Sequence, residues 1–269
     1  MGFEYASAEF VKRNNDLTHY VRHRRHAIRP GCYTDDTQMS IAIAELLVEG
    51  GRWRPRDIAA KFLDVFHRDR RTGYSGGFYR FLLSTTSPDK FLADIRSDSN
   101  KSGGAMRAPP LGVLQDADEV VQKATIQAQL THNTREGIDA ACASALLAHY
   151  CVHGVGPKEE AGKWIEARLG GQWGEPWELP VGSPGWQHVR AAITVVSRSS
   201  RLSEVLQRSV AVTGDVDTVA AIAMAAAAHC VGIKNDLSDF PFLEAGLENE
   251  DYGLDFLASL DARLMALKE

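Results

Sequence analysis

The stretch REGIDAACASALLAHYCV, residues 135 to 152, decides the fold class. It is apolar and alanine-rich, contains no proline and is much longer than an ordinary strand, so it is read as a helix that can bury most of its surface. Helical signatures recur on both sides of it. QMSIAIAELLVE, residues 38 to 49, stops at Gly50-Gly51, a good C-terminal signal. RDIAAKFLDVFHR, residues 56 to 68, follows Pro55 and sets apolar side chains at 58, 59, 62, 63, 65 and 66, one face of a helix. Further helices are expected over 119–130, 157–169, 186–198, 202–209, 217–231 and 252–267. Alternating strand-like segments are almost absent, which predicts an all-α fold with irregular loops at 72–77 and 98–112. The segment GQWGEPWELPVGSPGW, residues 171 to 186, carries three tryptophans that call for burial, so it is expected as an ordered loop packed on the helices.

The chain has 269 residues, 44% hydrophobic and 24% charged, which is enough apolar surface for a core without disulfides or structural metal. A net charge of -5 argues against nucleic acid as an obligate partner. Cys32, Cys142, Cys151 and Cys230 form no CxxC pair and read as reduced thiols. No apolar run reaches the roughly 18 residues that span a bilayer, and the N-terminus lacks a signal pattern. A cytoplasmic, monomeric protein with no membrane association is expected, built as one domain over residues 1–269.

Two acidic stretches stand far apart, YTDDTQMS at 33–40 and TGDVDTVAAIA at 213–223, each just before an apolar helix. Helix capping is one explanation, because threonine and aspartate oxygens accept from unpaired backbone N–H groups. One cap needs one such side chain, whereas each stretch supplies several, and carboxylates crowded beside an apolar core repel unless a cation lies between them. The alternative is a single site for hard cations, magnesium, manganese or calcium, with two divalent ions balancing Asp35, Asp36, Asp215 and Asp217. Spacing alone does not show that the two halves meet.

Five motifs in order resemble the ADP-ribosylglycohydrolase family, which includes ADP-ribosylhydrolases and dinitrogenase reductase-activating glycohydrolase-like enzymes. YTDDTQMS is similar to the family's first metal motif and GDVDT to its second, usually GGDTDT. SGGAMRAPPLG at 102–112 is similar to the family's GAMR loop, QLTHNTREGIDAA at 129–141 to its TH segment, and TGYSGGFYRF at 72–81 to a further glycine loop. The resemblance implies a compact orthogonal helical bundle and magnesium-dependent hydrolysis of ADP-ribose conjugates, with ADP-ribose or ADP-ribosylated protein as partner. It places two Mg2+ ions, with Mn2+ as a possible substitute, on Thr34, Asp35, Asp36, Asp215, Asp217 and Thr218. Glu4 matches the final glutamate of the family's GDxxGxxxE pattern, and Asp36 and Glu4 are the candidate catalytic residues, their acid and base roles open. Substrate contacts are implied for Ser75, Gly76, Gly77, Ser102, Gly103, Gly104, Ala105, Met106 and His132. The Gly-Asp that opens the pattern and the first part of the N-terminal helix are absent from the sequence, so a depleted core at that end is expected. A catalytically silent ADP-ribose-binding or structural protein is the alternative, and a metal-dependent phosphohydrolase a third.

Glycine loops also have a rationale of their own, since Gly103 and Gly104 lack a Cβ and let backbone N–H groups approach a phosphate; a simple tight turn is the other explanation. Arg107 is either a phosphate contact or a partner that holds the loop. Tyr74, Phe78 and Tyr79 either stack on a base or belong to the core. The basic run HYVRHRRHAIRP, residues 19 to 30, is read first as a surface patch, then as a phosphate or partner contact, and last as a zinc site at His19, His23 and His26. No GxSxG elbow, catalytic cysteine signature, P-loop or dinucleotide fingerprint is present. The linkage cleaved, whether to arginine, serine, O-acetyl or nucleic acid, lies in the half of the substrate that these motifs do not contact.

Overall fold

A computed structural model of the chain describes residues 2–24 and 26–268, which leaves Met1, Glu269 and Arg25 of the basic run outside the described residues. Among the described residues there are fourteen α-helices and no β-strand. In chain order α1 is Ala8–Asn14, α2 Asp35–Val48 and α3 Pro55–Arg68. Then come α4 at Gly76–Ser84, α5 at Pro88–Asp94 and the single turn α6 at Gly103–Met106. α7 spans Ala117–Gln129, α8 Arg135–Val152, α9 Ala161–Leu169 and α10 Gly185–Arg198. α11 is Leu202–Ala211, α12 Val216–Ala227, α13 Pro241–Ala245 and α14 Leu254–Met265. The all-α expectation is met, and helix 135–152 has its expected bounds.

α8 is the spine. Thr134 caps it by accepting from the Gly137 N–H at 3.0 Å, and every residue from Ala140 to Val152 is buried. Its alanines let α6, α7, α10 and α12 approach closely. The turn at Pro109–Val113 comes nearest: a Cβ on Gly112 would lie 2.6 Å from Ala148 Cβ. Against this spine α2 packs on α3, α12 and α14, while α12 packs on α10 and α11. The N-terminal segment lies on α11, where Ala6 and Val11 bury against Val210 with Phe3 and Phe10 over them. All four cysteines are free thiols.

Several elements differ from expectation. α2 starts at Asp35, three residues before its apolar pattern, because both aspartates occupy its first turn. The segments expected as glycine loops begin helices, α4 at Gly76 and α6 at Gly103. The helix expected to reach 231 ends at Ala227, where the Cys230 N–H folds back onto the Ala227 carbonyl at 3.1 Å. The tryptophan loop is ordered as expected: Trp173 is buried, and the Trp177 and Trp186 rings meet edge to face at 5.3 Å. This loop also pairs with the second acidic stretch, Val181 N–H to Thr213 O at 3.0 Å and Asp215 N–H to Val181 O at 3.3 Å.

Candidate active site

The first turns of α2 and α12 meet. Thr218 Oγ1 donates to Asp36 Oδ1 at 2.8 Å, joining side chains 182 positions apart. Glu4, Asp215 and Asp217 each bring a carboxylate oxygen to within 4.8 Å of the others. Glu4 sits on an irregular segment before α1, tied to the same place because the Tyr5 N–H donates to Gly214 O at 2.8 Å. Two helix N-termini therefore face one acidic cluster, an arrangement that favours negative charge there.

Thr34 and Asp215 occupy the N-cap positions of α2 and α12, yet neither side chain makes a capping hydrogen bond. The capping explanation is corrected to that extent: the position is right, but the side-chain bond is not made. Burial pushes the Asp35 carboxyl up to about 8, with the Asp217 charge adding to it, and Asp36 is held well above the usual range by burial and then Asp217. Burial raises Asp217 as well, Asp215 adding to it. Burial works to raise Asp215, but His188 and then Asp217 act the other way and help leave Asp215 below the usual range. Asp35 Oδ1 is buried with no hydrogen-bond partner among the described residues. Crowded hard oxygens, an orphaned carboxylate oxygen and raised proton affinities fit a site completed by divalent cation.

His188 was not anticipated. It is 0% exposed, and its Nδ1 donates to Pro184 O at 3.0 Å. Nε2 lies 3.0 Å from Asp215 Oδ2, close enough for attraction but off the hydrogen-bond direction. The only sequence signal for it is a histidine on the apolar face of α10.

A cleft of about 780 Å³ opens beside the acids, within the size of small-molecule sites. Glu4, Asp35, Asp36, Asp215, Asp217, Thr218, Ser75, Gly77, Ser102, Gly103, Met106 and His132 line it. Gly76, Gly104, Ala105 and Thr34 do not; Gly104, Ala105 and Thr34 are buried behind it. The glycines of α6 serve packing: a Cβ on Gly103 would meet His132 Cε1 at 3.0 Å, and one on Gly104 would meet His132 Cγ at 3.3 Å.

Arg107 holds the loop. It is 1% exposed and donates through Nε to Gln127 Oε1 at 2.6 Å and through Nη2 to Gln127 O at 3.0 Å and Thr131 Oγ1 at 2.8 Å. Gln127 in turn donates to Gly104 O at 3.0 Å. Thr131 Oγ1, which accepts from Arg107, lies 2.7 Å from His132 Nδ1; with the hydroxyl as donor the ring proton sits on Nε2. Burial, with Arg107 nearby, pushes His132 down to about 3, so this ring is neutral at ordinary pH. Tyr74 belongs to the core, its hydroxyl donating to Gln38 Oε1 at 2.7 Å, and Tyr79 packs edge-on to Phe66 at 5.7 Å. Phe78 lines the cleft, joined by Phe81, to which it stacks at 6.2 Å.

Residues 1–240 match the ADP-ribosylglycohydrolase family. The chain belongs to that family. It is 31% identical over 147 residues to ADP-ribosylhydrolase ARH3 of Bos taurus, a match covering 52% of this chain and 40% of the relative, so it spans less than half the length of that protein. It is 25% identical to the ADP-ribosyl-[dinitrogen reductase] glycohydrolase of Rhodospirillum rubrum over 250 residues, 86% of this chain and 81% of the relative. A solved structure, that of an ADP-ribosylglycohydrolase-related protein complex, superposes with a TM-score of 0.67 at 21% identity, covering 94% of this chain and 86% of the other. That likeness shows a shared fold.

Against the GGDTDT pattern of the ADP-ribosylglycohydrolases, Thr213 stands where the first glycine is usual. Its backbone is left-handed, φ +66°, and Gly214 follows at +92°. Glycine adopts such angles without the strain that a β-branched threonine carries. Among the described residues no helix is long and apolar enough to cross a membrane.

Proposed function

We propose that this ADP-ribosylglycohydrolase cleaves the glycosidic bond at the anomeric carbon of ADP-ribose conjugates, freeing ADP-ribose from a protein side chain or small molecule. The observation that carries the proposal is the meeting of Asp35 and Asp36 with Asp215, Asp217 and Thr218 in a cleft that His132 and Gly103 also line. Asp35, Asp36, Asp215, Asp217 and Thr218, with Thr34 behind them, would hold two Mg2+ ions or Mn2+ in their place. Bound there, the ions would supply Lewis-acid chemistry and fix the ribose hydroxyls.

The chain's own residues do the rest. His132, with its ring proton on Nε2, offers a neutral donor to the diphosphate, and Ser75, Gly77, Ser102 and Gly103 close around it. Phe78 and Phe81 offer an aromatic face for the base. Asp36 is fully engaged, buried and accepting from Thr218. Glu4 is partly exposed on the cleft wall, which suits it to take a proton from the water that attacks the anomeric carbon. Hydroxide adds to that carbon, its bond to the leaving nitrogen or oxygen breaks, and the leaving group takes up a proton.

A panel of arginine, serine, O-acetyl and nucleic-acid ADP-ribose conjugates, assayed with Mg2+ or Mn2+ and with EDTA, tests the proposal. Release of intact ADP-ribose that EDTA abolishes is the expected result. AMP with ribose phosphate as products would overturn it in favour of a phosphohydrolase. Binding of ADP-ribose with no release from any conjugate would mark a silent binder.

A further inference from the structure

The basic run at 19–30 has no part in the chemistry above. It is irregular rather than helical, and among its described residues only His23 is buried, at 8% exposure. His19, Arg22, Arg24, His26 and Arg29 are exposed, which agrees with a surface patch, and the three histidines do not gather around a common point among the described residues. His23 departs from that pattern because it turns inward to an acid of the cluster.

The geometry of that contact is specific. The His26 backbone N–H donates to His23 Nδ1 at 2.8 Å, so the ring proton lies on Nε2, which donates to Glu4 Oε2 at 3.0 Å. The aspartates of the cluster lie in helical first turns or, for Asp215, at a helix N-cap, whereas Glu4 stands on a turn whose next residue, Tyr5, is left-handed at φ +51°. A side chain on a short irregular segment needs a neighbour to fix its rotamer. The segment also lies flush against the run, since a Cβ on Gly2 would come within 2.0 Å of the Val21 carbonyl oxygen.

We infer that His23 is a positioning residue: its Nε2–H holds the Glu4 carboxylate against Asp215 and Asp217, and through Glu4 it raises both divalent-cation affinity and turnover. This rests on the cation site proposed above, to which Glu4 brings a carboxylate oxygen beside those of Asp215 and Asp217.

The test uses Mn2+ as the probe on the full chain, with binding read by paramagnetic resonance or calorimetry on His23→Leu, His23→Gln, His23→Asn, Glu4→Ala and the Glu4→Ala/His23→Leu double variant. His23→Leu should weaken Mn2+ binding by about 10-fold to 100-fold, the usual cost of losing a residue that orients a ligand. Gln keeps an N–H at the reach of Nε2 and should recover most of the affinity; Asn, one carbon shorter, should not. In the Glu4→Ala background, His23→Leu should change Mn2+ affinity less than about 2-fold, because coupled residues are non-additive. Independent, multiplying losses would overturn the inference, as would wild-type affinity in His23→Leu. If His23→Leu fails to fold, equal affinities in the Gln and Asn variants would overturn it. Wild-type Mn2+ affinity in both Glu4→Ala and Asp217→Ala would remove the cation site itself and the inference with it.

Discussion

Thr218 Oγ1 donates to Asp36 Oδ1 at 2.8 Å, a direct side-chain link between the two acidic stretches. Replacing Thr218 with Val keeps the shape and removes the donor. Mn2+ affinity should fall about tenfold, with turnover falling alongside it, while Thr218→Ser should retain both. Titration of Mn2+ into the three proteins checks this, and equal affinity in the Val variant would contradict it.

The metal-free protein should lose stability as pH rises. Asp35 titrates near pH 8 when folded, and Asp36 and Asp217 are also raised, all above ordinary carboxyls. A raised carboxyl stabilises the folded state fully below its unfolded value, and that contribution is lost as pH rises through the folded one. The melting temperature in EDTA should therefore fall between about pH 4 and about pH 8, and saturating Mg2+ should reverse the trend at the upper end. Melting curves across that range, with and without metal, decide it.

Asp35→Asn removes one crowded charge. In EDTA at pH 8 the variant should melt higher than the wild type, by about 2–4 °C for each kcal/mol of relieved repulsion. It should also respond less to Mg2+. A lower melting temperature in EDTA would show that the cluster is not under charge strain.

Backbone strain at the second stretch should be removable. Thr213→Gly relaxes a left-handed threonine at φ +66° and should stabilise by up to about 1 kcal/mol, strain relief exceeding glycine's added unfolded-state entropy. Gly214→Ala should do the opposite, since its Cβ would lie 2.0 Å from the Val181 carbonyl oxygen. Denaturant titration of the two variants separates these effects.

Arg107 should behave as a structural residue. Arg107→Lys cannot reproduce the three bonds to Gln127 and Thr131 and should cost about 2–4 kcal/mol. Substrate affinity should fall as well, because Thr131 no longer holds the His132 tautomer. Wild-type stability in the Lys variant would refute this.

The long helices were legible in the sequence because their burial is one-sided or complete over many residues, as at 56–68 and 135–152. The turns at Gly76 and Gly103 were not, since glycine signals a loop when taken alone, and what requires it at 103 is the His132 ring on another segment. The acidic residues were legible as a group from their surplus over any capping need. Their meeting was not, because it depends on α2 and α12 packing side by side. His23 showed only as part of the basic run, His188 only as a histidine on an apolar helix face and Phe81 only as the end of a glycine-aromatic motif, because each finds its partner through tertiary contact.

The bonds from Thr218 to Asp36 and from Tyr5 to Gly214 join positions 182 and 209 residues apart. Such contacts carry the greatest loop-closure entropy and form late. The acidic centre is thus assembled only when α12 has packed on α2 and the N-terminal segment on α11, and a fragment that stops short of Thr213 would keep Glu4, Asp35 and Asp36 but lack Asp215 and Asp217. At the proposed cation site, divalent-cation affinity should therefore report completed folding.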